Sequence, residues 1–102
     1  MKSFQDIYTE IIRIELDYGK EYNIKIDQEF AFSKLIEEVG EFAQAKLTYE
    51  QKSRPEKWLD TTDAKQKVAE ELADIVGMAF VNAYTLNIDI EKALKTKWLD
   101  RR

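Results

Sequence analysis

The sequence predicts an all-α protein. Apolar residues recur at intervals of three and four along most of the chain, which is the spacing of a helix with one buried face. Only one proline and three glycines occur in 102 residues, so few positions oblige a helix to end. We expect an antiparallel bundle of three long helices and a short C-terminal helix, built as one domain over residues 1–102. Oligomerisation would add core to a domain of this size.

The first helix is expected from about Phe4 to Tyr18, with Ser3 as its N-cap and Gly19 as its end. Residues 20–27 follow, and apolar and polar residues alternate at positions 23–26. A single short strand would have no sheet to join, so we interpret this segment as a loop.

The second helix is expected to begin at the cap Asp27 and to end near Glu50. A polar connection over residues 51–60 holds the only proline, Pro55. Because this connection is short, the helices on either side of it should pack antiparallel.

Thr61 or Thr62 is expected to cap the third helix, whose apolar stripe continues to Leu86. Asn87 is the expected C-terminal cap of this helix. A short fourth helix should run from its cap Asp89 through Trp98.

The composition excludes several classes of function. The chain has no cysteine and no histidine, which excludes thiol catalysis, histidine triads, disulfides and the usual zinc ligand sets. Side-chain metal ligands must then be oxygen atoms, which suit Mg²⁺, Mn²⁺ or Ca²⁺. A net charge of −4 argues against a nucleic-acid polymer as partner, because that binding depends on basic surface. No apolar segment is long enough to span a bilayer and residues 1–6 lack a signal-peptide apolar region, so we expect no membrane partner and a cytoplasmic location.

Two short acidic runs carry the functional signal. The first contains Glu37, Glu38 and Glu41, and the second contains Glu71 and Asp74. In each run two carboxylates stand three residues apart, which places both on one helix face, a turn apart. Each run lies about ten positions from the connection, so an antiparallel hairpin brings the two runs level with each other.

Glu38 and Glu71 fall within the apolar stripes of their helices, and Glu41 and Asp74 lie at the margins of those stripes. Charge on an inward face is costly unless it is paired or bound to a metal. Two like charges ~4 Å apart repel by roughly 4 kcal/mol at an effective dielectric near 20. The gathered carboxylates therefore need a counter-charge, and a divalent cation would supply it best.

Other interpretations of these charges stay open. Lys34 and Lys46 stand close enough along the second helix to supply positive charge instead. Either acidic run taken alone fits ordinary solvated helix surface, and Glu37 and Glu70, which face outward, fit it well. Asn82 shares the helix face of Glu71, where it could hydrogen-bond a ligand base or sugar, or satisfy a polar position between helices.

Residues 35–45 (LIEEVGEFAQA) resemble the EExxE helix of the MazG-like, all-α nucleoside triphosphate pyrophosphohydrolases. Residues 70–75 (EELADI) resemble the ExxD helix of that family, and residues 87–94 (NIDIEKAL) resemble the segment that follows it. The resemblance covers most of the chain from about Phe32 onward, and the motifs stand in the order that the family has.

The resemblance implies hydrolysis of a (deoxy)nucleoside triphosphate to the monophosphate and pyrophosphate, in the housecleaning of nucleotide pools, by a homodimer or homotetramer. It implies that Mg²⁺, or Mn²⁺ in its place, is held by Glu38, Glu41, Glu71 and Asp74. Glu37 and Glu38 are the implied catalytic residues. The candidate substrate-binding residues are Lys34, Asn82, Lys97 and Arg101.

Within the enzymes, a dUTPase- or dCTPase-type activity and a phosphoribosyl-ATP pyrophosphatase are alternatives. The alternative from another class is a noncatalytic helical adaptor or antitoxin-like oligomer, in which the acids are surface decoration. A response of thermal stability to Mg²⁺ distinguishes the enzyme from the adaptor, because only a metal site is stabilised by the ion.

Overall fold

The structure, a computed structural model, describes residues 2–100 and confirms the all-α prediction. Over this range it contains four α-helices and no strand. The helices are α1 (Phe4–Tyr22), α2 (Gln28–Tyr49), α3 (Thr61–Thr85) and α4 (Ile90–Leu94). A 3₁₀ turn (Pro55–Lys57) lies between α2 and α3, and a π-helical turn (Lys95–Leu99) continues α4. None of the helices within residues 2–100 has the length and apolarity needed to cross a membrane.

The chain divides into two compact units. Within the described residues, the first unit comprises residues 2–32 and 79–100, so it holds α1, the start of α2, the end of α3, and α4. The second unit is Ser33–Met78, which holds the rest of α2, the connection and the rest of α3.

Helix α1 begins where the sequence predicts and ends four residues later than predicted. Ser3 Oγ accepts a hydrogen bond from the Asp6 backbone N–H at 3.1 Å, and Asp6 Oδ2 accepts one from the Ser3 N–H at 3.2 Å, which forms a capping box. Gly19 was wrong as the end, because the helix continues through it. Asn23 ends the helix instead, in the left-handed conformation (φ 55°) that asparagine tolerates.

The core of the first unit forms around the end of α3. Phe80 contacts the rings of Phe4 and Tyr8 edge to face, with centroids 5.4 and 5.5 Å apart. Val81 is 1% exposed and is the largest side chain that is fully buried within residues 2–100. Asn82 Nδ2 donates a hydrogen bond to the Ala31 carbonyl at 2.8 Å, so this unit ties the start of α2 to the end of α3.

Helix α3 is capped by Asp60 rather than by the predicted Thr61 or Thr62. Asp60 Oδ1 accepts a hydrogen bond from the Asp63 N–H at 2.9 Å, and Thr61 is already the first helical residue. Aspartate is a better N-cap than threonine here, because its negative charge also interacts favourably with the positive end of the helix dipole. At the other end Asn87 has φ 57°, which confirms it as the C-terminal cap.

The prediction of a loop over residues 20–27 was wrong for residues 20–22, which belong to α1, and Ile24 and Ile26 beyond them pack closely against that helix. Gly19 is buried, and its carbonyl accepts a hydrogen bond from the Ile24 N–H at 2.7 Å. A Cβ at position 19 would lie 2.7 Å from the Ile24 carbonyl oxygen and 2.7 Å from Ile26 Cγ1. Glycine is therefore required here for close approach rather than for ending the helix.

We expect Gly19→Ala to lower the free energy of unfolding by about 1–3 kcal/mol, because the backbone oxygen cannot move away cheaply. Gly40→Ala is the matched control, since nothing lies within 4 Å of a Cβ there. The control should raise stability by about 0.5–1 kcal/mol through helix propensity. Urea unfolding measures both, and equal effects of the two substitutions would contradict this account of Gly19.

Candidate metal centre

Four carboxylates of the second unit lie close together. Glu38 and Glu41 come from α2, and Glu71 and Asp74 come from α3. Each residue offers one carboxylate oxygen, and these four oxygens lie within 4.8 Å of one another. The i, i+3 spacing within each run and the short connection between the helices therefore place all four predicted ligands in one cluster, called here the acidic cluster.

Burial is uneven across the acidic cluster. Glu71 is only 4% exposed, Glu38 is half-buried, and Glu41 and Asp74 are exposed. The Oε2 atoms of Glu38 and Glu71 are buried without a hydrogen-bond partner. Leaving a buried polar atom unsatisfied costs about 1–3 kcal/mol, and more when it carries charge. One such atom from each helix thus lies in the cluster at a cost that a bound cation would remove.

The pKa of Glu38 is raised to about 7. Desolvation by burial is the largest cause, followed by a side-chain hydrogen bond with Glu41 and by the negative charges of Glu41, Asp74 and Glu71. The usual pKa of a glutamate is near 4.3. A carboxyl group that exchanges its proton close to neutral pH can act as a general base or acid, and it can also give up that proton to a metal.

A lysine contacts the acidic cluster. Lys67 Nζ lies 3.0 Å from Glu71 Oε1, one turn away on α3. The hydrogen bond to Glu71 is the first cause that raises the pKa of Lys67, and the charge of Glu71 is the second. The side chain of Lys67 is 54% exposed, whereas that of Glu71 is 5% exposed. The ion pair therefore joins a buried carboxylate to a solvated ammonium.

A cavity of about 380 Å³ adjoins the acidic cluster. Its walls combine charged, polar and apolar side chains, contributed by Glu41, Gln44, Ala45, Thr48, Leu59, Lys67 and Glu71. Because Glu41 and Glu71 belong to both the cluster and the cavity wall, a ligand in this cavity would lie against the proposed metal ligands.

The other predicted site residues make separate contacts. Glu37 is exposed and pairs with Lys34, whose Nζ lies 2.6 Å from Glu37 Oε1. Asn82 donates to a backbone carbonyl in the first unit, as described above, which favours the structural interpretation of this residue. Lys97 is exposed in the π-helical turn, and Arg101 lies outside the described residues.

Lys67 was not predicted from the sequence as a residue of the site. Lys34 and Lys46 were the lysines predicted near the acids, but Lys46 Nζ pairs with Glu50 Oε2 at 2.9 Å. The signal that could have identified Lys67 was its i, i+4 spacing to Glu71, which brings the two side chains together on one helix face. Gln44, Thr48 and Leu59 were also missed, because a cavity wall has no sequence pattern of its own.

The residues of the acidic cluster fit a hard divalent cation. Mg²⁺ binds oxygen atoms at about 2.0–2.1 Å, which places opposite ligands about 4.2 Å apart. Four oxygens within 4.8 Å of one another are close to that spacing. The cluster contains carboxylates alone, which is the ligand type that Mg²⁺ and Mn²⁺ prefer.

Glu38 should make the folded protein less stable as pH rises. Its pKa is about 7 in the folded state and near 4.3 in an unfolded chain, so the folded state binds the proton more tightly. Below about pH 4 the carboxyl is protonated in both states and brings no penalty, whereas above about pH 7 the folded state bears the full cost of ionising it. With EDTA present, we expect the free energy of unfolding to fall between about pH 5 and pH 8.

The substitution Glu38→Gln should flatten that fall, because the amide does not ionise. Glu70→Gln is the control, since Glu70 is exposed and outside the acidic cluster. Urea unfolding across the pH range tests the prediction. The same pH dependence in the two variants would show that Glu38 is not the group responsible.

Comparison with known proteins found no match to this chain among protein-family models, curated proteins or solved structures. The resemblance to MazG-like enzymes rests on the sequence motifs at residues 35–45, 70–75 and 87–94 alone, and it stays a prediction. What the protein does has to be inferred from the residues of its site.

Proposed function

We propose that this protein is a Mg²⁺-dependent nucleoside triphosphate pyrophosphohydrolase. In this proposal it cleaves a (deoxy)nucleoside triphosphate to the monophosphate and pyrophosphate and thereby clears unwanted nucleotides. The observation that carries the proposal is the acidic cluster, in which the buried Glu71 has an unpartnered oxygen beside three further carboxylates. Mn²⁺ could replace Mg²⁺, because it takes the same ligands.

A cluster of this kind suits phosphate chemistry for an electrostatic reason. The four carboxylates repel each other, and without a cation they would also repel a polyphosphate. A divalent cation reverses the sign of the local field and makes the same place attractive to phosphate oxygens. We therefore propose a substrate that carries several phosphate groups.

In this proposal Glu38, Glu41, Glu71 and Asp74 hold the ion. When bound, the ion would neutralise phosphate charge and lower the pKa of a bound water. Glu38, whose pKa is about 7 without an ion, would give up its own proton as it binds the ion, and it could take a proton from water only through an oxygen that the ion leaves free. Glu37 is the second candidate for that step, and its exposed position would let it reach a water at the mouth of the site.

Four residues are proposed to contact the substrate. Lys34 and Lys97 offer positive charge for the phosphates, and Arg101 is retained from the family resemblance. Asn82 would have to exchange its bond to the Ala31 carbonyl for a bond to the ligand. Deoxyuridine or deoxycytidine triphosphate, or phosphoribosyl-ATP, are the alternative substrates, and all of them share the α–β phosphate bond.

The test is a panel of nucleoside triphosphates, assayed for pyrophosphate and for single phosphate. We expect Mg²⁺-dependent release of pyrophosphate from at least one of them. The substitution Glu71→Gln should lower the rate about 100-fold or more, because a metal ligand is lost. Glu70→Gln is the matched control, and it should keep most of the activity because Glu70 is exposed and outside the acidic cluster.

Release of single phosphate would contradict the proposed bond. Retention of wild-type activity in Glu71→Gln would separate the reaction from the acidic cluster. No release of either product, with or without Mg²⁺, would favour the noncatalytic adaptor.

We also propose that the chain assembles into a homodimer or homotetramer as a helical bundle. Five large apolar side chains on the helices of the second unit are 45% or more exposed: Ile36, Val39, Leu47, Leu72 and Val76. Their spacing places them on one face of each helix. Large apolar side chains that are grouped on a helix face and exposed are typical of an interaction surface, so a second copy of the chain is the proposed cover.

The mass in solution tests this assembly. Light scattering should give a multiple of the 12.0 kDa chain mass for the wild type. The substitution Leu72→Glu should shift the protein towards the monomer, because it would bury a charge in the interface. Gln66→Glu adds the same charge on the same helix at an exposed position and should leave the mass unchanged. A wild type of 12.0 kDa at all concentrations would overturn the assembly.

A further inference from the structure

Lys67 partly neutralises two of the carboxylates that are proposed to hold the metal. Its ammonium lies 3.0 Å from Glu71 Oε1 on its own helix. The negative charge of Glu41 on α2 also contributes to raising the pKa of Lys67. A divalent cation that binds these carboxylates therefore competes with Lys67 for Glu71 and is repelled by its positive charge.

The same lysine also lines the cavity beside the acidic cluster. Lys67 is the only cationic side chain among the seven that line it. The lining also includes the carboxylates of Glu41 and Glu71 and the neutral polar side chains of Gln44 and Thr48. An anion entering this cavity meets negative charge, while the single positive charge is already paired with Glu71.

We propose that Lys67 is a displaceable counter-ion that couples the binding of a divalent cation to the binding of a diphosphate or triphosphate group. With a cation bound, Glu71 would serve as its ligand instead of pairing with Lys67, and the Lys67 ammonium would be free to bind phosphate oxygens in the cavity. No covalent bond changes in this exchange. The inference rests on the proposed function, and it makes Lys67 a residue that binds the substrate phosphates.

Two features make the exchange inexpensive. The side chain of Lys67 is more than half exposed, so water can solvate the ammonium once it leaves Glu71, and the buried Glu71 carboxylate would keep a positive partner because the cation replaces the lysine. Its four-carbon stem is flexible, so the ammonium can turn from Glu71 to a ligand in the cavity without movement of α3. Because coupling between two ligands is reciprocal, a bound diphosphate strengthens metal binding by the same factor.

Calorimetric titrations of three variants test the coupling. Lys67→Gln removes the charge, Lys67→Arg keeps it, and Lys65→Gln removes the same charge from an exposed position two residues earlier on α3. Each protein, stripped with EDTA and dialysed, is titrated with Mg²⁺ alone, with pyrophosphate alone, and with a preformed Mg²⁺–pyrophosphate complex.

For Lys67→Gln we expect Mg²⁺ alone to bind about two- to fivefold more tightly than to the wild type, because the competitor is gone. We expect the Mg²⁺–pyrophosphate complex to bind about fivefold more weakly or worse, because a charged contact is lost. Lys67→Arg should retain most of the coupling, and Lys65→Gln should match the wild type. Pyrophosphate alone should bind none of the four proteins measurably.

Weaker Mg²⁺ binding in Lys67→Gln would overturn the inference, because Lys67 would then support the metal site. Unchanged binding of both ligands would overturn it as well. These outcomes are distinct from failure of the proposed function, which would appear as the absence of any Mg²⁺ binding or pyrophosphate release by the wild type.

Discussion

Electrostatic repulsion within the acidic cluster is the constraint on which the rest of the molecule depends. Four carboxylate oxygens within 4.8 Å of one another cannot all be ionised without a counter-charge close by. Two features reduce the negative charge of the cluster. The raised pKa of Glu38, about 7, keeps its carboxyl protonated below that pH, and Lys67 pairs with Glu71. These two features compensate the cluster only in part, because the Oε2 atoms of Glu38 and Glu71 still lack a hydrogen-bond partner. A hard divalent cation would satisfy the whole cluster.

Few residues are needed to form this cluster. Two acids three residues apart on each of two helices are enough, because the i, i+3 spacing sets the face and the short connection sets the register. The connection itself begins with Gln51 in the left-handed conformation and is held by a hydrogen bond from Trp58 Nε1 to the Ser53 carbonyl at 2.8 Å. Its residue Leu59 then lines the cavity beside the cluster, so the connection also shapes the site.

The helices and the proximity of the four acids could be predicted from the sequence, because both depend on local periodicity. The end of α1 was predicted wrongly because Gly19 is needed for close packing against Ile24 and Ile26, and nothing local distinguishes that role from a helix stop. Asp60 was not predicted as the cap of α3 because the two threonines next to it are also good caps. The ion pair of Lys67 with Glu71 was foreseeable from their i, i+4 spacing on α3. The cavity walls depend on which side chains meet across the helices, which a periodic pattern does not specify.

Direct binding of Mn²⁺, followed by the electron paramagnetic resonance signal of the free ion, tests the central claim most directly. The account predicts saturable binding of at least one Mn²⁺ per chain, competed by Mg²⁺, kept in Glu70→Gln and lost in Glu71→Gln. If the wild type shows no saturable binding, or if the two glutamine variants bind alike, then the carboxylates are not gathered for a cation and the account is contradicted.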